Sequence, residues 1–355
     1  MIPFTTVEAA ETSLGRAMTW AEALWFRYSR STPDYCLCFQ SFLILFAAYT
    51  LAPLPLTLLE LCAPSKMTPP YKVQSKVRLS PVAFLRCYKD TAIVLLLLTF
   101  GPLQLVAYAA LKVSGMRTGL PLPSAGEVAA QLVVYMLMED YLGYWFHRFL
   151  HSEWIYDNIH YVHHEFRAPM GFAAAHAHWF ESLVLGFAAF ISIFAVPCHM
   201  ITCWLWFAIR GIAGVEIHCG FNLPFSPTKL IPFYGGAEFH DYHHHCGGKW
   251  NHSNLAPLFT FCDYIYGTHS VYRNQNSSIV KVHSYFRHLT PFYIHVHQSL
   301  FLLKCTMQIY EIIKYFSSRR IQLILIWGKK LVDPKAGKKV REYLHFRYVL
   351  QDLFS

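Results

Sequence analysis

The chain is poor in charge. Only 14% of its 355 residues are Asp, Glu, Lys or Arg, against about 25% in an ordinary soluble domain. With 54% hydrophobic and 17% aromatic residues, the composition predicts a polytopic membrane protein and leaves no visible second, soluble domain. The ten cysteines include no CxxC pair, which argues against a disulfide scaffold and favours buried apolar thiols. There is no GxGxxG and no haem signature, so any redox chemistry must take its electrons from outside the chain. No nucleic-acid fold signature, internal repeat or low-complexity stretch is present. The opening MIPFTTVEAAETSLG lacks a basic leader region and an apolar core. It is therefore not read as a signal peptide, and the first membrane segment is expected to act as the insertion signal. The sharpest absence is histidine, which does not occur before position 147.

Beyond position 146 histidine becomes abundant. Fifteen of the 20 histidines lie between His147 and His269. They include HRFLH (His147, His151), HYVHH (His160, His163, His164) and HDYHH (His240, His243, His244), the last followed by His245. At this histidine frequency chance gives about 0.06 HxxHH matches in the chain; two are present. Imidazole suits iron, copper and zinc. Eight clustered rings are too many for one tetrahedral zinc and fit two iron ions. On a helix, i and i+4 share a face, and i+3 lies near them. HRFLH thus offers two rings to one side, and each HxxHH three. His178 and His218 are further candidate ligands. His176 and His245 read more simply as structural or surface residues, as do His252, His269 and the five histidines beyond. His199 falls near a hairpin turn, on the far side of the membrane, and is not expected to bind metal.

The apolar segments set the topology. A span needs about 20 mostly apolar residues. Residues 36–61 and 91–111 qualify, as do 128–146 apart from Glu139 and Asp140. The loop between the first two carries Lys66, Lys72, Lys76, Arg78, Arg86 and Lys89 against Asp90, which marks it as cytosolic. The third span then delivers His147 and His151 to the cytosolic side. Residues 182–209 are uncharged and broken by Pro197. One crossing there would separate the third cluster from the first two. The segment is therefore expected to be a helical hairpin over 173–217, turning near Pro197. Arms of 173–196 and 198–217 would be about 36 and 30 Å long. The fold class expected is all-α: a polytopic membrane helical bundle with a cytosolic histidine-rich helical cap. Residues 1–35 form a leading segment, 36–276 the catalytic unit and 277–355 a tail.

Net charge is +9 and sits entirely in that tail. Residues 1–276 balance 17 basic against 17 acidic residues, while 277–355 hold 13 against four. Such a tail predicts attraction to anionic membrane lipid and not nucleic-acid reading.

A site built from neutral rings makes sense at a membrane face, where each added anion costs more. Two irons held this way can activate O2 and attack an unactivated C–H bond, which no ordinary side chain does. Ligating rings usually donate their other N–H to a carboxylate or carbonyl. Asp140 and Asp241 are the first candidates for such partners, followed by Glu165, Glu216 and Glu238. The simpler alternative is interfacial charge at helix ends.

HRFLHSEWIYDNIHYVHHE, AHWFESLVLG, HMITCWLW, SPTKLIPFYGGAEFHDYHH and FTFCDYIYGT resemble the fatty acid hydroxylase/membrane sterol desaturase superfamily, and within it the plant sterol 4-methyl oxidases. MIPFTTVEAAETSLGR resembles the branch acting on 4,4-dimethylsterols. The resemblance covers about residues 1–273. One departure is GFNLPFSP, where relatives usually read GYDFPWSP, so that Asn222 and Phe225 stand for Asp and Trp. The resemblance implies an endoplasmic reticulum enzyme whose two irons are held by His147, His151, His160, His163, His164, His240, His243 and His244. It implies oxidation of the 4α-methyl group of a sterol resembling 24-methylenecycloartanol, through alcohol and aldehyde to carboxylate. O2 and electrons from cytochrome b5 and its NAD(P)H-dependent reductase would be consumed. A separate sterol-4-carboxylate dehydrogenase/decarboxylase would take the product. The competing readings are a hydroxylase or desaturase of another lipid, and a histidine-rich metal transporter. A transporter should set its ligands at mid-membrane on several spans.

Overall fold

Helix boundaries follow local signals. In the computed structural model, which describes residues 4, 6–64, 67–100, 102–246 and 253–270, Thr19 and Glu22 form a reciprocal cap at the start of one helix and Ser124 caps another. Gly15 and Gly267, both in the left-handed region, end two more. The α-helices are α1 (Val7–Leu14), α2 (Trp20–Ser29), α3 (Asp34–Leu51), α4 (Leu54–Cys62), α5 (Pro81–Phe100) and α6 (Pro102–Ser114). They continue with α7 (Ala125–Leu150), α8 (Glu153–Asn158), α9 (Trp179–Ala195), α10 (Met200–His218), α11 (Gly236–Cys246) and α12 (Phe261–Tyr266). Short 3-10 turns cover His160–Glu165, Gly171–Ala175 and Pro227–Lys229. No strand occurs among the described residues. All of them belong to the first of two units into which the chain divides, Met1–Thr290. The basic tail, 277–355, lies outside the described residues, as does His252.

Among the described residues, two helical stretches are long and apolar enough to cross a membrane: Asp34–Cys62, which contains α3 and α4, and α10. Helix α9 is apolar but shorter. Within the stretch expected as a hairpin, α9 and α10 flank Pro197. Its first arm starts later than 173. His178 is extended and accepts the N–H of Phe180, so the helix begins at Trp179, and residues 171–175 form their own turn.

Helix α10 packs along α3, and α9 along α7. Gly211 allows the first contact: a Cβ there would stand 2.7 Å from Ala48 Cβ. Tyr135 on α7 is buried against Trp206 on α10. The acidic residue in the middle of α7, Glu139, is ion-paired with Arg210 of α10, whose guanidinium also donates to Tyr49 of α3 at 2.8 Å. A charge inside an apolar bundle requires such a partner. This clamp ties three helices together and fixes the ends of α7 and α10, which carry histidines.

Candidate metal centre

Four elements converge at one end of the bundle. The last turn of α7 supplies His147, and His151 caps it. The 3-10 turn supplies His160, His163 and His164, the last turn of α10 supplies His218, and α11 supplies His240, His243 and His244. All nine are buried. Both ends of the hairpin reach the second cluster: Glu181, in the first turn of α9, lies against His160, and His218 against His163.

The rings sort into two groups. In the first, ring nitrogens of His147, His151, His160, His164 and His243 all lie within 4.8 Å of one another. In the second, those of His163, His218, His240 and His244 do the same. The sequence clusters are shared between the groups. In both HxxHH motifs the first and last rings serve one group and the i+3 ring serves the other. On α11, rotation of about 100° per residue puts i and i+4 about 40° apart but i+3 and i+4 about 100° apart. Neighbouring rings therefore diverge toward two centres, and one helical stripe does not carry all three. The same division holds on the 3-10 turn.

The outward nitrogens explain the ring orientations. His147 Nδ1 donates to Leu255 O at 2.7 Å, His243 Nδ1 to Ser253 O at 2.7 Å, His163 Nδ1 to His176 O at 3.0 Å and His218 Nδ1 to Gly214 O at 2.8 Å. A carbonyl only accepts, so each of these Nδ1 atoms carries the proton, and each neutral ring turns an Nε2 lone pair inward. Inward Nε2 atoms approach closely: His147 to His160 at 3.2 Å, His151 to His160 at 3.1 Å, His151 to His243 at 3.3 Å and His163 to His218 at 3.3 Å. Burial holds the His160, His163, His240, His243 and His244 rings well below the usual histidine range, and His164 at about 3, with neighbouring rings adding to the effect. Buried, neutral, convergent imidazoles fit a pair of metal ions of borderline softness.

Two carbonyls of this arrangement come from the segment 253–259, which no histidine or acidic motif marks in the sequence. Asp140 Oδ1 accepts Leu258 N and Phe259 N at 2.7 and 3.0 Å, and Asp263 accepts Leu255 N and Ala256 N at 2.8 and 2.9 Å. Asn254, at φ 57°, donates its side-chain amide to Phe239 O. Asp140 thus holds the strap that orients His147 and His243. Asp241 accepts from Gln74 Nε2, whose amide also donates to Arg167 O. Glu165 meets His176 at 3.2 Å and pairs with Arg86. Glu216 accepts from Ser226 and Tyr234, and Glu238 from Asn222. His178 caps α9 and joins neither group. His199 caps α10 and donates to Gly119 O, and His245 is exposed. His269 stacks on Tyr264.

A helical bundle ending in two histidine groups defines a membrane metalloprotein. Residues 132–268, which contain all nine rings, match the family described as fatty acid hydroxylase. The chain is 57% identical over 273 residues to the very-long-chain aldehyde decarbonylase GL1-10 of Oryza sativa subsp. japonica, covering 77% of this chain and 90% of that one. It is 50% identical over 283 residues to methylsterol monooxygenase 1-1 of Arabidopsis thaliana, covering 79% and 94%. Methylsterol monooxygenase 1-2 of the same plant is 50% identical over 276 residues, covering 78% and 92%. No solved structure gives a significant match. The chain belongs to the fatty acid hydroxylase family, in the plant group that holds the methylsterol monooxygenases.

Proposed function

We propose that this protein is a membrane-bound, non-haem diiron monooxygenase acting on the 4α-methyl group of 4,4-dimethylsterols. The methyl carbon is taken through alcohol and aldehyde to carboxylate. The observation that carries this reading is the pair of adjacent buried histidine groups, together with the similarity to methylsterol monooxygenases over most of the chain. His147, His151, His160, His164 and His243 would hold one iron, and His163, His218, His240 and His244 the other. His178 is left out. Bound iron would supply O2 activation and C–H oxidation, for which the side chains have no equivalent. The protein's own part is to keep nine rings buried and to fix four of them, His147, His163, His218 and His243, by backbone carbonyls. Water is excluded from the ring nitrogens by their burial.

The catalytic unit is taken as 36–276. It sits in the endoplasmic reticulum membrane with the metal centre facing the cytosol, where cytochrome b5 and its reductase can deliver electrons. A sterol-4-carboxylate dehydrogenase/decarboxylase consumes the product. The basic loop 66–89 supports this orientation.

The rice relative at 57% identity is named for a different reaction, removal of the aldehyde carbon from very-long-chain aldehydes, and this is the second reading. One experiment separates them. Cells lacking their own sterol 4-methyl oxidase are profiled for sterols and for hydrocarbons, with and without this chain. The sterol reading expects accumulated 4,4-dimethylsterols to fall. Unchanged sterols with new long-chain alkanes would replace it with the second reading.

A further inference from the structure

Glu181 is the one carboxylate that touches a ring of either histidine group among the ion pairs of the described residues. Its Oε2 lies 2.9 Å from His160 Nδ1, and both side chains have no exposed surface. Neither carboxyl oxygen, nor His160 Nδ1, has a hydrogen-bond partner among the described residues, so the two groups meet in distance but not in hydrogen-bond geometry. No Lys or Arg is ion-paired with it there. A buried carboxylate without a cation is costly. The first turn of α9 offers a helix N-terminus, which favours an anion but offsets only part of that cost. The remaining place for a compensating positive charge is across the imidazole, at the His160 Nε2, which faces His147, His151 and His164 at 3.1–3.2 Å.

We propose that Glu181 is the positioning residue of the five-histidine group: with a cation bound at the His160 Nε2, the carboxylate closes on the Nδ1–H, makes that ring a stronger donor and balances the cation's charge. Among the ion pairs of the described residues, no carboxyl meets a ring of the four-histidine group. His163 and His218 donate to neutral carbonyls; the Nδ1 atoms of His240 and His244 have no hydrogen-bond partner among the described residues, as is true of His160 and His164, and the difference between the groups is the nearby carboxyl alone. The two metal positions are therefore electrostatically unequal. A carboxylate behind a ligand imidazole strengthens its hold on the metal, so the five-histidine position binds more tightly because of Glu181. This inference rests on the metal-binding reading and is independent of the lipid oxidised.

The test uses the full chain in lipid nanodiscs, loaded with iron-57 without oxygen. Glu181→Gln keeps the shape and removes the charge, and Glu181→Asp keeps the charge. Iron per chain is followed by chelator competition and the two environments by Mössbauer spectroscopy. In Glu181→Gln, one of the two irons should bind about 10- to 100-fold more weakly and one of the two signals should shift. In Glu181→Asp both should stay closer to the parent. Parent-like affinity and spectrum in Glu181→Gln would overturn the proposal. Should Glu181→Gln not fold, the parent chain alone decides. Its infrared difference spectrum between metal-free and iron-loaded states should show a buried carboxylate band moving, and a flat carboxylate region would overturn the assignment. No readout involves substrate, so a wrong choice of lipid leaves them unchanged. Failure of the parent to hold iron at all would remove this proposal and the metal reading together.

Discussion

His163 and His218 meet Nε2 to Nε2 at 3.3 Å while both of their Nδ1 atoms donate to backbone carbonyls, those of His176 and Gly214. In the neutral rings neither Nε2 then carries a proton, so two lone pairs face each other in a buried space. No hydrogen bond can form between them. A cation that accepts both lone pairs turns this repulsion into coordination. The pair also joins parts of the chain 55 residues apart, the 3-10 turn and the end of α10, and so belongs to the second histidine group.

His218 should therefore behave differently from His178, although both stand at hairpin ends. His218→Ala is expected to remove iron from the four-histidine group, lowering content from about two ions per chain toward one. His178→Ala should leave iron content unchanged and cost about 0.5–1 kcal/mol through loss of the α9 cap. Elemental analysis of purified protein and thermal unfolding measure the two effects. Equal iron in both variants would contradict the assignment of His218.

Asp140 offers a test of the strap. Asp140→Ala leaves Leu258 N and Phe259 N without their acceptor, at about 1–3 kcal/mol for each buried donor. The Leu255 carbonyl that orients His147 lies on the same strap. Denaturation should show a loss of about 2 kcal/mol or more, with weaker iron retention. A variant as stable as the parent would show that the strap is held without Asp140.

The buried rings make the metal-free protein acid-sensitive. Their folded pKa values lie below the unfolded value of about 6.5, His164 at about 3. The folded state thus binds fewer protons. Stability is fully present above about pH 6.5 and is lost as pH falls, by up to about 1.4 kcal/mol per pH unit for each ring. Asp263 acts in the opposite sense. Burial raises it to about 6, so its contribution is lost as pH rises from about 4 to 6. The six rings lowered in this way outnumber Asp263 and the other buried carboxyls that act as it does. Melting temperature of metal-free protein should fall from pH 7 to pH 5. Iron loading should reduce the slope, because bound metal competes with protons.

Gly236 starts α11 with φ 64°, and a Cβ there would overlap Thr228 Cγ2. Gly236→Ala should cost at least about 1–2 kcal/mol for the left-handed backbone alone. It should also shift the helix carrying His240, His243 and His244. Thermal unfolding together with iron content checks this. Unaltered values in both would mean that the turn relaxes freely.

Much of this molecule could be read directly from its residues. Low charge and apolar runs give helices in a membrane. Two HxxHH motifs and HRFLH give eight rings, and the need for one shared site demands a chain reversal at Pro197. Helices α9 and α10 flank Pro197, and the eight rings fall, with His218, into two buried groups. These features were legible because hydrophobic period, proline chemistry and ligand spacing are local. Three others were settled by packing. The division of each HxxHH between two groups depends on where the neighbouring helices place their partners. The inclusion of His218 and the exclusion of His178 depend on which ring the hairpin turns inward. The acceptors behind the rings are mostly backbone carbonyls, which every residue possesses and no side-chain pattern reveals. Glu181 shows the boundary most clearly: its letter in the chain marks only an acid beside an apolar run, and its contact with His160 exists because two segments 21 positions apart fold against each other.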